Sequence, residues 1–214
     1  MKNYRGLAAK IVASLCLLTT SACGGTNAAG SPQGSAGSAS STSGGETASA
    51  GSSSKPASTA QVTSIFDAMK RFLIDDDWPI TPVEDGIVKV TFKGENGEWT
   101  CVGQAIEKND QMLFYSIAPL STPEDRRTEM ARFLARANYG TILGNFELDL
   151  NDGEVRYKTS IDANGEELVP TLVQPVVYAN VLMMDKYLPG IMAVATGNVS
   201  AEEAIVAIEG TPAE

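Results

Sequence analysis

Carboxylates are the commonest side chains in this sequence that could do chemistry, and histidine is absent. The chain of 214 residues has 26 Asp and Glu against 16 Lys and Arg, and it has no His. It therefore lacks the commonest zinc ligand and the base of the Ser-His and Cys-His nucleophile pairs. Carboxylate pairs are so frequent that no spacing singles out an acid and a base. The sequence predicts no catalytic residue and no cofactor.

Three acidic stretches imitate metal sites, and each fails on spacing. Asp75-Asp76-Asp77 are consecutive, so their side chains cannot all point toward one ion. Residues 149–153 (DLNDG) imitate the start of a calcium loop, yet the glycine comes one place early and Ser160 stands where the bidentate Glu belongs. Residues 162–167 (DANGEE) are typical of an ordinary turn. We therefore expect solvated turns in all three places and no metal site.

The first residues are typical of a secretory signal that ends at a cysteine. A basic start precedes a short apolar run at 11–18, and small residues come directly before Cys23. The run is too short to span a bilayer. The stretch LTTSACGG resembles a bacterial lipoprotein signal, although Thr20 stands where leucine is commonest. We expect a signal at 1–23 and lipidation of Cys23, with ordinary cleavage near Ala22 as the alternative.

A linker and one acidic domain follow the cysteine. Residues 24–60 are almost entirely Gly, Ser, Ala and Thr, which have nothing to bury, so they predict a disordered tether. The folded domain is expected at 61–209. Leaving out the four cations and one carboxylate that precede it gives 12 Lys and Arg against 25 Asp and Glu, a net charge of −13. Because such a domain repels nucleic acid and anionic membranes, we expect no nucleic-acid partner and membrane attachment only through the lipid.

Residues 121–160 predict one helix followed by one β-hairpin. The helix places four apolar residues on one face: Met130, Phe133, Leu134 and Ala137. A two-residue turn at Asp152-Gly153 would set three apolar pairs on the buried face of the hairpin: Leu150–Val155, Leu148–Tyr157 and Phe146–Thr159. The same register would set two ion pairs on the exposed face: Asp149–Arg156 and Glu147–Lys158.

The remaining elements follow from the same periodicities. The stretch before residue 121 begins with a predicted helix from about Val62 to 75–77 and an extended bridge at 78–82. Three strands are predicted after it, at 88–92, 99–105 and 112–118. Cys101 falls on the inward face of its strand and is expected to be a core residue. The nearly continuous apolar run MLFYSIA at 112–118 predicts a central strand covered on both faces.

The C-terminal part predicts two helices. Residues 171–188 look helical, with Pro175 either in the first turn or at a kink. Pro189-Gly190 is expected to break this helix, which can resume at 191–195. A capping box that begins at Ser200 starts a short last helix.

Four segments together resemble the YbjN family: FKGENGEWTC at 92–101, LFYSIAP at 113–119, RANYGTILGNFELDLNDGEVRYKTSID at 136–162, and YANVLMMDKYLPGIMAV at 178–194. The resemblance covers roughly 62–205. It implies an α+β fold similar to type III secretion chaperones, with a bent antiparallel sheet of about five strands flanked by helices in the order α-β-β-β-α-β-β-α. Those chaperones are usually dimers that bind extended partner segments, so a homodimer is one expected state. The family brings no catalytic residues, and Pro175 and the lipoprotein-like start depart from its pattern.

The leading hypothesis is a membrane-tethered, non-catalytic module, chaperone-like or regulatory, that binds a protein or peptide outside the cytoplasm. Its candidate contact residues are Met183, Met184 and Met192 on the long C-terminal helix, and Arg156 and Lys158 on the hairpin. Flexible methionines are typical of adaptable binding surfaces, although packing in the core is the alternative. An uncharacterised envelope enzyme and a passive envelope lipoprotein are the other two hypotheses.

Overall fold

The structure, a computed structural model, describes residues 63–211 except for Asp85 and Asn198. The predicted signal, Cys23 and the tether at 24–60 lie outside the described residues. Along the described chain the α-helices and strands follow in this order: α1 (Ile65–Asp75), β1 (Ile80–Glu84), β2 (Ile87–Lys93), β3 (Glu98–Ile106), β4 (Gln111–Ile117), α2 (Arg127–Asn138), β5 (Asn145–Leu148), β6 (Val155–Asp162), α3 (Pro170–Ala195) and α4 (Ala201–Glu209).

The strands form one antiparallel sheet in the order β1-β2-β3-β4-β6-β5, with helices against it. Helix α1 packs on β3 and β4, α3 packs on β4 and β6, and α2 and α4 pack against α3. The predicted α+β fold with a bent antiparallel sheet is confirmed. Among the described residues, no helix combines the length and the apolar character that crossing a membrane requires.

The sheet has six strands where about five were predicted, because the expected bridge at 78–82 contributes an edge strand. Ile80 pairs with Val90 and Thr81 pairs with Lys89, so the segment that follows α1 forms a strand, β1, along the outer side of β2. This strand was not predicted because a proline lies within it, and proline argues against a strand. Proline is tolerated in a sheet mainly at an edge, which is where β1 lies.

The strands predicted at 88–92 and 99–105 pair with each other as the β2–β3 hairpin. Val88 pairs with Gly103, Val90 with Cys101, and Phe92 with Trp99, and all six residues are buried. A Cβ atom at Gly103 would lie 2.6 Å from the sulfur of Met69. Glycine at this position therefore lets α1 pack closely on the sheet.

The predicted register of the β5–β6 hairpin is wrong by two residues. Phe146 pairs with Tyr157 and Leu148 with Val155, whereas Leu150 lies in the turn with 65% of its surface exposed. The turn is longer than two residues because Asp149 closes it: its backbone N–H donates to the carbonyl of Glu154 at 2.9 Å, and its side chain accepts from the N–H of Asn151 at 2.7 Å. A shift of two residues keeps the paired side chains of β5 and β6 on their predicted faces, so for these residues the faces are as predicted although the pairs differ.

Helix α3 runs unbroken through Pro189, where a break was predicted, and begins at Pro170. A proline has no N–H to donate to the carbonyl four residues earlier, which here belongs to Asp185. The side chain of Asn96 donates to that carbonyl at 3.0 Å. A side chain from the β2–β3 turn thus replaces the missing helical hydrogen bond.

Candidate functional site

Strand β4 lies centrally in the sheet, as predicted, but it is not covered on both faces. Met112 and Phe114 point toward the helices and are fully buried. Leu113, Tyr115 and Ile117 point the other way and are only half-buried. The described helices all pack on the first side. The second side of the sheet therefore carries apolar residues without a covering layer in the described chain.

We call this second side the open face and define it by eight residues: Val102, Leu113, Tyr115 and Ile117 in the centre, Lys89 and Lys93 on β2, and Arg156 and Lys158 on β6. One row across the sheet reads Lys89–Val102–Tyr115–Lys158, and the next contains Ile117 and Arg156. Three apolar residues of β4 and Val102 of β3 thus lie between two strands that carry cations, with Thr100 and Gln104 of β3 beside Val102. The carboxylates near these cations are Glu98, opposite Lys93, Glu147, on β5, and Glu154, which pairs with Arg156.

Glu147 holds the two cations of β6 in place. Its carboxylate accepts a hydrogen bond from the Nε of Arg156 at 2.8 Å and forms an ion pair with Lys158. The guanidinium of Arg156 also lies 4.8 Å from the ring centre of Tyr115, a cation–π contact. Burial alone would raise the pKa of Glu147, but the hydrogen bonds from Lys158 and Arg156 outweigh it and hold that pKa below its ordinary value of 4.5.

The predicted ion pairs of the hairpin are therefore half right. Lys158 pairs with Glu147, as predicted, whereas Arg156 pairs with Glu147 and Glu154 and not with Asp149. The reason is the longer turn, in which the Asp149 carboxylate is engaged by Asn151. Glu147 is also less exposed than predicted, with a quarter of its side-chain surface accessible.

The three candidate methionines are not brought together on one surface. Met184 is fully buried in the core, so it is not available to a partner. Met183 is half-buried, and Met192 has 38% of its surface exposed. Of the candidate contact residues, only Arg156 and Lys158 lie together on an uncovered surface.

Several carboxylates outside the open face serve as hydrogen-bond acceptors for the fold. Glu107 accepts from the backbone N–H groups of the first two residues of α1, at 3.0 and 2.8 Å. Glu129 accepts from the first N–H of α4 at 2.7 Å, and Asp185 accepts from two N–H groups of the β2–β3 turn. These groups satisfy helix ends and a turn that would otherwise lack partners.

The thiol of Cys101 is fully buried, which confirms its predicted place in the core. Burial raises the pKa of this thiol to about 12, against the smaller effects of hydrogen bonds with Ser116 and Trp99. A thiol with so high a pKa carries almost no reactive thiolate at neutral pH.

A groove of about 430 Å³ lies along the β5–β6 hairpin, lined by Glu147, Leu148, Asp149, Leu150, Glu154 and Arg156. Its three carboxylates surround one guanidinium, and Glu147 and Glu154 are paired with that guanidinium. Within the part of the chain that the structure describes, no group of three or more Cys, Asp or Glu residues is arranged to hold a metal ion.

Asn180 is a buried polar residue that the sequence did not single out. It is fully buried on α3, and its Nδ2, which has two N–H groups, donates to the carbonyls of Phe114 and Tyr157 at 2.7 and 2.9 Å and lies 3.1 Å from the hydroxyl of Thr159. These bonds join α3 to β4 and β6. An asparagine within the apolar run YANVLMM was the available clue, since a buried amide needs partners.

A comparison with protein-family models finds one match, to YbjN, described as "Putative bacterial sensory transduction regulator", over residues 66–191. The match spans more than half of the chain. The chain belongs to the YbjN family. The resemblance seen in the sequence is thereby confirmed as family membership, whereas the lipidation of Cys23 stays a prediction. None of the curated proteins compared with this chain matches its sequence.

Solved structures similar to this chain include YbjN from E. coli, at 12% identity and a TM-score of 0.46, covering 62% of this chain and 90% of that one. The ExsC–ExsE complex matches at 10% identity and a TM-score of 0.39, covering 59% and 95%. The HopA1–SchA chaperone–effector complex matches at 16% identity and a TM-score of 0.36, covering 57% and 88%. All three matches have a low sequence identity and a TM-score below 0.5.

The ion pairs of Glu147 predict a pH-dependent contribution to stability. The pKa of Glu147 is lower in the folded protein than in the unfolded chain, so its stabilising effect is complete above about pH 4.5 and is lost as the pH falls through the lower folded-state pKa. We expect Glu147→Gln to cost about 1 kcal/mol at pH 7. Urea unfolding of both proteins should show this difference shrinking below pH 4.5. Glu166→Gln, at an exposed position, is the control, and equal pH profiles for the two variants would contradict the prediction.

Proposed function

We propose that this YbjN-family chain is a membrane-tethered, non-catalytic module outside the cytoplasm that binds a protein or peptide through the open face. The role is chaperone-like or regulatory, in keeping with the family's description as a regulator. Two of the similar structures are named as an ExsC–ExsE complex and a chaperone–effector complex, so protein partners are bound by relatives of this fold.

The observation that carries the binding proposal is the open side of β4. Leu113, Tyr115 and Ile117 are three large apolar residues in the centre of the sheet, and in the described chain no helix packs on them. A contiguous apolar patch with a polar rim is typical of an interaction site, because single exposed apolar residues are common but grouped ones are costly.

The membrane tether rests on the sequence alone. Small residues precede Cys23, and the Gly/Ser-rich stretch at 24–60 would give the domain reach away from the bilayer. A lipid chain on Cys23 would hold the protein at a membrane, with the domain outside the cytoplasm. Self-association as a homodimer is a separate proposal, tested by the mass of the purified chain in solution.

We expect Cys23→Ser to release the protein from the membrane fraction of its native host. Mass spectrometry should find acyl chains on the N-terminal cysteine of the wild-type protein and an unprocessed or soluble form of the variant. Cys101→Ser is the matched control, because its thiol is buried in the core and outside any processing site. Equal membrane retention of the Cys23→Ser variant and the wild type would overturn the tether.

Site-specific photocrosslinking in the native envelope tests the binding proposal. A photoreactive residue at position 115, on the open face, should give a discrete adduct with one protein. The same residue at 206, an exposed position on α4, is the control and should give none. Adducts at neither position would favour a passive envelope protein, and an adduct at 206 alone would move the binding site to the helical layer.

A further inference from the structure

We infer that the open face docks an acidic amphipathic helix of a partner protein, lying along β3 and β4. This inference rests on the proposed function and deepens it by giving the partner segment its secondary structure and charge. The helix would place an apolar stripe on Val102, Tyr115 and Ile117. Its carboxylates would face the cations of β2 on one side and those of β6 on the other.

Charge complementarity selects an acidic partner. From residue 60 onward the net charge is −13, yet four cations gather around the centre of the open face, with three carboxylates, Glu98, Glu147 and Glu154, beside them. No ion pair of Lys89 or Lys93 occurs among the residues that the structure describes. Carboxylates arriving between these cations would gain favourable pairs, and the cations would exclude basic segments.

The same charges disfavour a second copy of this chain as the occupant. In a symmetric dimer through the open face, the same patch would meet itself, because a two-fold interface is self-complementary. Lys89 and Lys158 of one protomer would then approach the cations of the other. Like charges across an interface cost free energy, so we assign the open face to a different protein.

The need to hydrogen-bond the partner's backbone N–H and C=O groups favours a helix over an extended segment. The inner strands β3 and β4 are hydrogen-bonded to neighbours on both sides, so the open face offers side chains and no free backbone groups. An extended peptide lying on Val102 and Tyr115 would bury N–H and C=O groups without partners. A helix satisfies these groups internally and needs only an apolar stripe.

The dimensions of the open face also fit one helix. Strands β2 and β6 are three strand spacings apart, which is roughly 14 Å at the usual spacing. A helix with its side chains is about 10–12 Å wide, so one helix fills the space between the cationic rows. The apolar side of β4 runs from Ile117 to Leu113, and covering it with some overlap takes a helix on the order of 12–15 residues.

The side chain of Arg156 is already fixed in position before a partner binds. Its guanidinium is fixed by Glu147 on one side and by the ring of Tyr115 on the other. A side chain already held in one position loses less conformational entropy on binding. It retains N–H groups beyond the one donated to Glu147, since a guanidinium has five.

The test uses the full chain and three synthetic peptides of about 14 residues. The first is helical, with a leucine stripe flanked by glutamates on both sides. The second replaces the glutamates with lysines, and the third has the composition of the first in an order without a stripe. We expect saturable binding of the first peptide alone, by fluorescence anisotropy, weakening as salt is added. Failure of the first peptide to bind, or equal binding of the first and third, would overturn the helix.

Two pairs of matched variants locate the binding. Lys89→Glu with Lys93→Glu should weaken binding of the first peptide by about tenfold or more, whereas Lys108→Glu with Lys186→Glu, the same change in net charge at exposed positions off the open face, should change it less than about twofold. Equal weakening by the two double variants would mean a nonspecific charge effect and would overturn the site.

The apolar stripe is tested in the same way. Ile117→Ser should abolish measurable binding of the first peptide, and Ile142→Ser, at a fully exposed loop position, should leave it unchanged. Thermal unfolding of each variant identifies any loss of folded protein. An adduct at position 115 in the envelope, together with no binding of the acidic peptide, would sustain the proposed function and overturn only the acidic helix.

Discussion

Gly153→Ala is expected to be among the most destabilising single substitutions in the domain, at about 3 kcal/mol or more. Gly153 has a φ of 81°, and a Cβ atom there would lie 2.0 Å from the backbone oxygen of Thr122. The carbonyl of Gly153 also accepts from the N–H of Thr122 at 2.7 Å, so the two backbones are locked together. The β5–β6 turn and the segment before α2 would have to separate. For a domain of this size, thermal unfolding should move down by roughly 10 °C.

Gly140→Ala separates the two causes of this effect. Gly140 has nearly the same φ, 82°, but nothing lies within 4 Å of a Cβ atom built on it. It should therefore show only the cost of a positive φ, about 1–2 kcal/mol. Similar losses of stability at the two positions would contradict the close approach of Gly153 to Thr122.

Asn180→Asp is expected to cost about 3–5 kcal/mol although it changes few atoms. The amide nitrogen of Asn180 donates to two backbone carbonyls, of Phe114 and Tyr157. A carboxylate in its place would face those oxygens without a proton to donate and would be buried as a charge. The protonated acid would supply one O–H where the amide supplies two N–H bonds. The substitution removes the link between α3 and the sheet, and urea unfolding at pH 7 measures the resulting loss of stability.

Asn164→Asp is the matched control for this change. Asn164 is exposed in a turn with a φ of 51°, a conformation that Asp adopts as readily as Asn. The substitution should alter the free energy of unfolding by no more than about 0.5 kcal/mol. If the buried and the exposed change had equal effects, the hydrogen bonds of Asn180 to Phe114 and Tyr157 could not be supporting the fold.

The sequence predicted the elements whose order depends on neighbouring residues. The inward pairs of β2 and β3 follow from alternation on both sides of the turn at 94–97, and the buried face of α2 follows from its 3.6-residue period. The capping box at Ser200 is present as predicted, because its hydrogen bonds join residues three apart. Local patterns suffice where the partners are close in the chain.

The tertiary structure decided the features whose partners are distant in the chain. Asn96 satisfies the carbonyl that Pro189 leaves free, and so α3 continues through a proline. The contacts of Asn180 reach residues 21–66 positions away. Neither contact has a local pattern, because each depends on how α3 lies across the sheet.

The open face shows the same division. The sequence by itself determined that β4 is central and apolar on both sides, and it singled out Arg156 and Lys158 as contact residues. Only the tertiary structure decided that the helices pack on one side, which leaves Tyr115 half-buried beside Arg156. An apolar run has the same composition whether a helix or solvent lies over it. Which side of β4 the helices cover depends on how segments that are distant in the chain pack together, and the composition of the strand does not indicate it.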